Sequence, residues 1–250
     1  MNRYLVDLHI HTLLSPCGDL YMSPAAIVEC ALRRGLDAIA ITDHNTTLQV
    51  PVVCALGRKA GLTVFMGAEL TTREEAHCVA IVPDAGKLAE LQEWIDGKLI
   101  KVPNNPEKLG DQVWVDEEEN IAGEVDWYLN SPLDASVEEV ADEIAGLGGL
   151  FVPAHVDRPS YSLIGQLGFI SPLLPVTAVE YNHADLFEEL CAKQKYLRKY
   201  MAYTASDAHF TSQIGENPSW LYAAHRSFDE LRMALAGTEG RRIVSRASEP

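Results

Sequence analysis

Short apolar runs alternate with helix-period patterns along most of the chain. Residues 4–7 read as a first strand. A helix follows at 24–34, with Ser23 placed to cap it, Pro24 in the first turn and Gly35 just past its end. Residues 38–42 read as a buried strand, 50–60 as a helix, and 63–66 and 77–82 as further strands. The rhythm returns near residue 136. Ser136 caps a helix running to about residue 147, and Glu138 and Glu139 suit the positive end of its dipole. Strands at 150–153, 176–181 and 201–205 and helices at 186–200 and 228–235 complete the pattern. Strands that alternate with helices predict an α/β fold with a parallel sheet and right-handed crossovers, open or closed into a barrel.

Residues from about 83 to 135 break this rhythm. They hold Pro103, Pro106 and Pro132, an acidic run from Asp116 to Glu119, and a hairpin pattern over 113–125. This stretch reads as an insertion over or beside the sheet, within one domain covering residues 1–250, and the acidic run as a solvated turn.

Composition narrows the class. The chain has 250 residues, 47% of them hydrophobic, which suits one α/β barrel with a sizeable core. No run of about 20 apolar residues occurs, so no membrane span is expected. The start reads straight into a strand, so no signal peptide is expected. Five cysteines, an odd number without a CxxC pair, argue against a disulfide framework and for a reducing cytoplasm. Cys30, Cys54, Cys78 and Cys191 read as small buried apolar residues. A net charge of −16 argues against gripping long nucleic acid through basic patches. Divalent metals would neutralise part of that charge where an anionic substrate binds.

The chemistry lies where strands end. Of eight histidines, six lie at or near strand ends beside carboxylates. His9 and His11 follow the first strand, Asp43 and His44 the second, and Glu69 the third. His155 follows the strand at 150–153, and Asp207 and His209 the strand at 201–205. His77 is the exception, since it starts its strand. In parallel α/β folds the carboxyl ends of the strands form the functional face. Residues i and i+2 of an extended segment point the same way, so His9/His11 and Asp207/His209 can each aim two ligands at one place. A lone His-x-His is common and a lone Glu69 could be a surface acid. The joint pattern is different, because buried polar groups at five strand ends would be costly without partners. Histidine nitrogens and carboxylate oxygens are the usual ligands of zinc, manganese and iron. His183 reads as a loop or supporting residue and His225 as structural.

These residues resemble the PHP (polymerase and histidinol phosphatase) superfamily. Its marks stand as Asp-Leu-His-Ile-His-Thr (7–12), Ile-Thr-Asp-His-Asn (41–45), Gly-Ala-Glu-Leu (67–70), Pro-Ala-His (153–155) and Ser-Asp-Ala-His (206–209). The resemblance implies a distorted (β/α)7 TIM-like barrel with up to three divalent metals. One would be held by His9, His11, Glu69 and Asp207. A second would share Glu69 and add His77 and His155. A third would use His44, His209 and a group from the loop after the first strand, where Cys17 stands nearest and Asp19 is the alternative. A cysteine there favours zinc, an aspartate manganese or iron.

The expected activity is phosphoester hydrolysis by a metal-activated hydroxide. Asp43 would orient a histidine ligand or handle protons. Arg158 would clamp phosphate, with pairing to Asp157 as its plainer role, and Ser160 and Tyr161 would line the pocket. The expected substrate is a small phosphomonoester, a nucleotide or a short oligonucleotide end, with no membrane partner. An amidohydrolase acting on C–N bonds and a non-catalytic metal-stabilised scaffold are the rivals. The former is disfavoured because Glu69 stands where a bridging lysine is common.

Overall fold

The computed structural model describes residues 1–248. Strand β1 (Asn2–Ile10) pairs in parallel with β2 (Ala38–Ile41), and β2 with β3 (Thr63–Thr71). Between them run α1 (Pro24–Arg33) and α2 (Val50–Ala60). Ser23 accepts the Ala26 N–H to cap α1, and Gly61, in the left-handed region, ends α2. The last six residues of β1 and all of β2 are buried, which is why they lack the alternation of a half-exposed strand.

The expected parallel sheet forms only in part. A tight turn at 72–76 sends β4 (His77–Val82) back antiparallel to β3. Gly67 lets the two backbones approach, since a Cβ there would lie 2.2 Å from the Ala80 carbonyl oxygen. Helix α3 (Ala85–Lys98), capped by Asp84, buries Leu88, Leu91 and Ile95 in the main core. The stretch read as an insertion therefore opens with a core helix. Beyond it lie the short α4 (Pro106–Leu109) and the hairpin β5 (Val113–Val115) to β6 (Ile121–Glu124). The hairpin turn is the acidic run, and Asp116 folds it by accepting the N–H groups of Glu118 and Asn120.

Helix α5 (Val137–Gly146), with a full capping box between Ser136 and Glu139, leads into β7 (Leu150–Pro153), antiparallel to β4. After α6 (Leu163–Leu167), strands β8 (Ala178–Tyr181) and β9 (Met201–Thr204) pair in parallel. The helix expected over 186–200 is two pieces. These are α7 (Ala184–Lys193) and a 3₁₀ segment (Lys195–Lys199), separated at Gln194. Two strands the apolar pattern did not announce, β10 (Ser219–Ala223) and β11 (Arg242–Ser245), flank α8 (Phe228–Leu235).

The main sheet runs β11-β10-β1-β2-β3-β4-β7 and curls, with the β8–β9 pair lying between β7 and β11. Past β9 the chain returns to β1, where His11 N–H donates to the Ala208 carbonyl at 3.0 Å. One apolar cluster fills the inside of the curl with Val6, Leu8, Ala40, Phe65, Val79, Val152 and Tyr203. A larger one packs the helices onto the outside. No helix of the described residues is long and apolar enough to cross a membrane.

Candidate metal centre

At one end of the curl the inward positions change from apolar to ligating. On β3 the inward row runs Phe65, Gly67, Glu69; on β8 Ala178, then Glu180; past β9 Tyr203, Ala205, then Asp207. On β1 the register against β2 shifts between Asp7 and Ile10. Val6 and Leu8 face the interior cluster while Ile10 faces the helices, so this irregularity turns His9 and His11 inward. His77 also stops being an exception. Because β4 runs antiparallel, its first residue lies at the same end as the last residues of β3.

Glu69, fully buried, is the hub. Its Oε1 lies 3.1 Å from His77 Nδ1, 3.1 Å from His155 Nε2 and 3.4 Å from His9 Nε2. Its Oε2 lies 3.0 Å from His44 Nδ1 and 3.4 Å from His11 Nε2. Asp207 Oδ1 stands 3.1 Å from His11 Nε2 and 3.4 Å from His9 Nε2. Three sets of atoms lie close enough to share an ion: His9, His11, Glu69 and Asp207; His44, Glu69 and His77; and His11, His44 and His209. Two of the expected ligands sit on left-handed backbone, His155 at φ 31° and Asp207 at φ 51°, a strain typical of functional sites.

The hydrogen bonds around the cluster test whether it suits a cation. His9 Nδ1 lies 3.0 Å from both oxygens of Glu180 and donates to them, which turns Nε2 to the cluster. Ser15 Oγ donates to Asp43 Oδ1 at 2.7 Å and accepts from His11 Nδ1 at 3.0 Å, which turns His11 Nε2 to the same place. The two Nε2 atoms face each other at 3.2 Å. His209 Nδ1 donates to the Asp207 carbonyl at 2.8 Å, which again frees Nε2. His44 Nδ1, Glu69 Oε2 and His155 Nδ1 are buried without a hydrogen-bond partner. Nitrogens and carboxylate oxygens that converge in this way fit divalent ions, which displace the protons of their ligands, and carboxylates behind histidines are the usual support of such ligands.

The electrostatics show how the buried charges balance in the metal-free protein. Burial pushes the Glu69 carboxyl up, but His77, His9 and His44 outweigh it and hold it well below the usual range. Asp207 is likewise lowered, with His9 and His11 overcoming burial. Burial opposes charge on His9, yet Glu180, Glu69 and Asp207 hold its pKa well above the usual value. His11 falls well below it through burial and its neighbours His209 and His44.

The remaining expected residues are placed as follows. Asp43 does not reach the cluster directly. It accepts Thr12 N–H at 2.6 Å and Thr12 Oγ1 at 2.8 Å, and acts on His11 through Ser15. Arg158 pairs with Asp207 Oδ2 at 2.8 Å rather than with Asp157, which instead accepts the N–H groups of Asn182 and His183. With its amide oxygen turned to Arg158, Asn182 accepts Nε at 3.0 Å and Nη2 at 2.7 Å. Cys17 and Asp19 join none of the three clusters. Cys17 is exposed, and its sulfur lies 3.9 Å from Asn130 Nδ2. Asp19 caps the Tyr21 N–H. His183 and His225 are exposed and stand outside the clusters. Glu180 and Ser15 are the supports that sequence reasoning missed. For Glu180 a signal existed, a lone carboxylate inside the apolar strand Ala-Val-Glu-Tyr.

A family model for the PHP domain matches residues 7–149, more than half of the chain. The chain belongs to the PHP family. Among known relatives of this PHP chain, the uncharacterized protein YqxK of Bacillus subtilis is 23% identical over 98% of it and 65% of YqxK. The phosphoribosyl 1,2-cyclic phosphate 1,2-diphosphodiesterase of Eggerthella lenta is 32% identical over 26% of the chain and 24% of its own length. Among solved structures, the lesion-specific endonuclease PfuEndoQ from Pyrococcus furiosus superposes with a TM-score of 0.73 at 20% identity. The match covers 97% of this chain and 58% of that one. A structure of endonuclease Q with a 27-mer duplex carrying an abasic lesion at the active site gives 0.69 at 20% identity, over 96% and 58% of the two chains. The PHP chain thus spans less than two thirds of YqxK and of PfuEndoQ.

Proposed function

We propose that this PHP chain is a metal-dependent phosphoesterase, with the curled sheet serving as the family's distorted β/α barrel. The observation that carries the reading is the facing pair of Nε2 atoms on His9 and His11, set beside Glu69 and Asp207. His9, His11, Glu69 and Asp207 would hold one ion, Glu69 with His77 and His155 a second, and His44 with His209 a third. His44 also faces Glu69, and His11 completes the set with His209 where Cys17 was expected. When bound, divalent ions supply an activated water and positive charge for the phosphoryl oxygens. The protein supplies the arrangement. Glu180 and, through Ser15, Asp43 fix the tautomers of His9 and His11. Arg158, two-fifths exposed and held beside the cluster by Asp207 and Asn182, would offer its planar fork to the phosphate.

The favoured substrate is a small phosphoester of nucleotide type, which suits the net charge of −16. The overlap with endonuclease Q over nearly the whole chain supports a second reading, cleavage of a DNA phosphodiester.

The test combines elemental analysis with turnover on p-nitrophenyl phosphate, bis-p-nitrophenyl phosphate, and a duplex carrying an abasic site, with Mn²⁺ or Zn²⁺ supplied. Ester cleavage with metal bound supports the proposal, and the duplex arm separates its two substrates. Metal bound without turnover on any ester would leave the scaffold. Arg158→Lys keeps the charge but loses the fork, so KM should rise about tenfold, the scale of one charge-assisted hydrogen bond, with kcat less affected.

A further inference from the structure

The loop that carries His155 and Arg158 also carries Tyr161, which sits on left-handed backbone at φ 57°. Its carbonyl accepts the His77 N–H at 2.8 Å. Its ring lies against the His77 ring, with centroids 5.0 Å apart and planes at 31°. Among the described residues it is the one non-histidine ring packed on the histidine cluster. Ser162 closes the loop locally, donating to the Arg158 carbonyl at 2.6 Å and accepting the Gly165 N–H at 2.9 Å. The Arg158 guanidinium, paired with Asp207, and the ring are thus held three residues apart in one braced turn.

Yet Tyr161 is 51% exposed. A large ring left half in water on strained backbone does little for folding, and such strain points to function. The flat face of an aromatic ring beside a phosphate site matches a flat ring on the substrate, because base–aromatic stacking tolerates any base. Resting on the phosphoesterase reading, we propose that Tyr161 is the platform for a planar ring attached to the scissile phosphate. It is a specificity-determining residue that selects nucleotides over phosphoesters that lack a planar base.

The test uses metal-loaded protein and two ligands, adenosine 5′-monophosphate and ribose 5-phosphate, which share the phosphate but not the base. Affinity is read as Kd by calorimetry, or as KM where a ligand turns over. Wild type should prefer the nucleotide by about tenfold, within the range of one base stacked on an aromatic ring. Tyr161→Leu should erase that preference by weakening the nucleotide alone, while Tyr161→Phe and Tyr161→Trp keep it. Metal content should stay constant in all three variants. Equal weakening of both ligands, or metal loss in Tyr161→Leu, would mean that the ring merely props His77 and would overturn the proposal. So would a wild type without preference. A Tyr161-dependent preference in a protein that cleaves no ester would keep the platform and remove the hydrolase reading. Ester cleavage without such a preference would do the reverse.

Discussion

Two regions at the same end of the sheet bury a carboxylate completely, and they treat it in opposite ways. Glu69, amid five histidine nitrogens, is held well below the usual pKa despite burial. Asp43, held mainly by the neutral donors Thr12 and Ser15, is pushed above it because burial outweighs those hydrogen bonds. Burial raises a carboxyl pKa, and only nearby positive charge reverses the sign. The contrast separates a group built to sit among cations from a group built to hold geometry. His9, whose pKa is held above its usual value, carries positive charge in the metal-free protein, and bound ions would take that place in the loaded one.

The largest effect should come from breaking the first region. Glu69→Gln removes the anion that all three proposed ion positions share or adjoin. Bound metal should fall, and turnover should drop by more than about 10²-fold, the scale of losing a transition-state charge contact. Chelation of the wild type should do the same and reverse on adding Mn²⁺, whereas the variant should stay inactive. A Glu69→Gln variant that keeps full metal and turnover would remove the distinction between the two carboxylates.

Asp43→Asn sharpens the comparison. The acceptor for Ser15 weakens, and His11 is freer to adopt the tautomer that places a proton on Nε2. Metal affinity should fall about 10–100-fold, the range for losing a supporting carboxylate. Turnover should recover when excess metal is supplied, which Glu69→Gln should not allow. Metal titrations followed by activity at saturation would tell the two variants apart.

How much of this was written in the chain depends on what each residue needs in order to be recognised. His9, His11, His44, Glu69, His155, Asp207 and His209 were legible because each closes an apolar run, and helices α1, α2 and α5 because their caps are explicit. His77 was legible only as an anomaly, since strand direction is not encoded locally. The turn at 72–76 that reverses β4 shows its meaning only once β3 and β4 pair. Helix α3 hid behind the prolines that follow it, although Leu88, Leu91 and Ile95 hold a narrow helical stripe. Strands β10 and β11 were missed because half their residues face outward and their pairing partners lie far away in sequence. Glu180 needed the fold, because its partner His9 lies 171 residues away.

Glu230 supplies a third case, away from the metal centre. It accepts Arg241 at 2.9 and 3.1 Å and the Ala224 N–H at 2.6 Å, tying α8 to β10 and to the turn before β11. Arg241 first, and then the Ala224 N–H, lower its pKa from 4.5 to about 2. A folded pKa below the unfolded one means stabilisation that is complete above about 4.5 and lost as pH falls through about 2. Glu230→Gln should therefore lower Tm slightly at neutral pH without changing metal content. The gap from wild type should close between pH 4.5 and 2. A gap that stayed constant over that window would mean that side-chain shape, not charge, links α8 to its neighbours. The rule that separates Glu69 from Asp43, positive charge against burial, would then not extend to this partly buried pair.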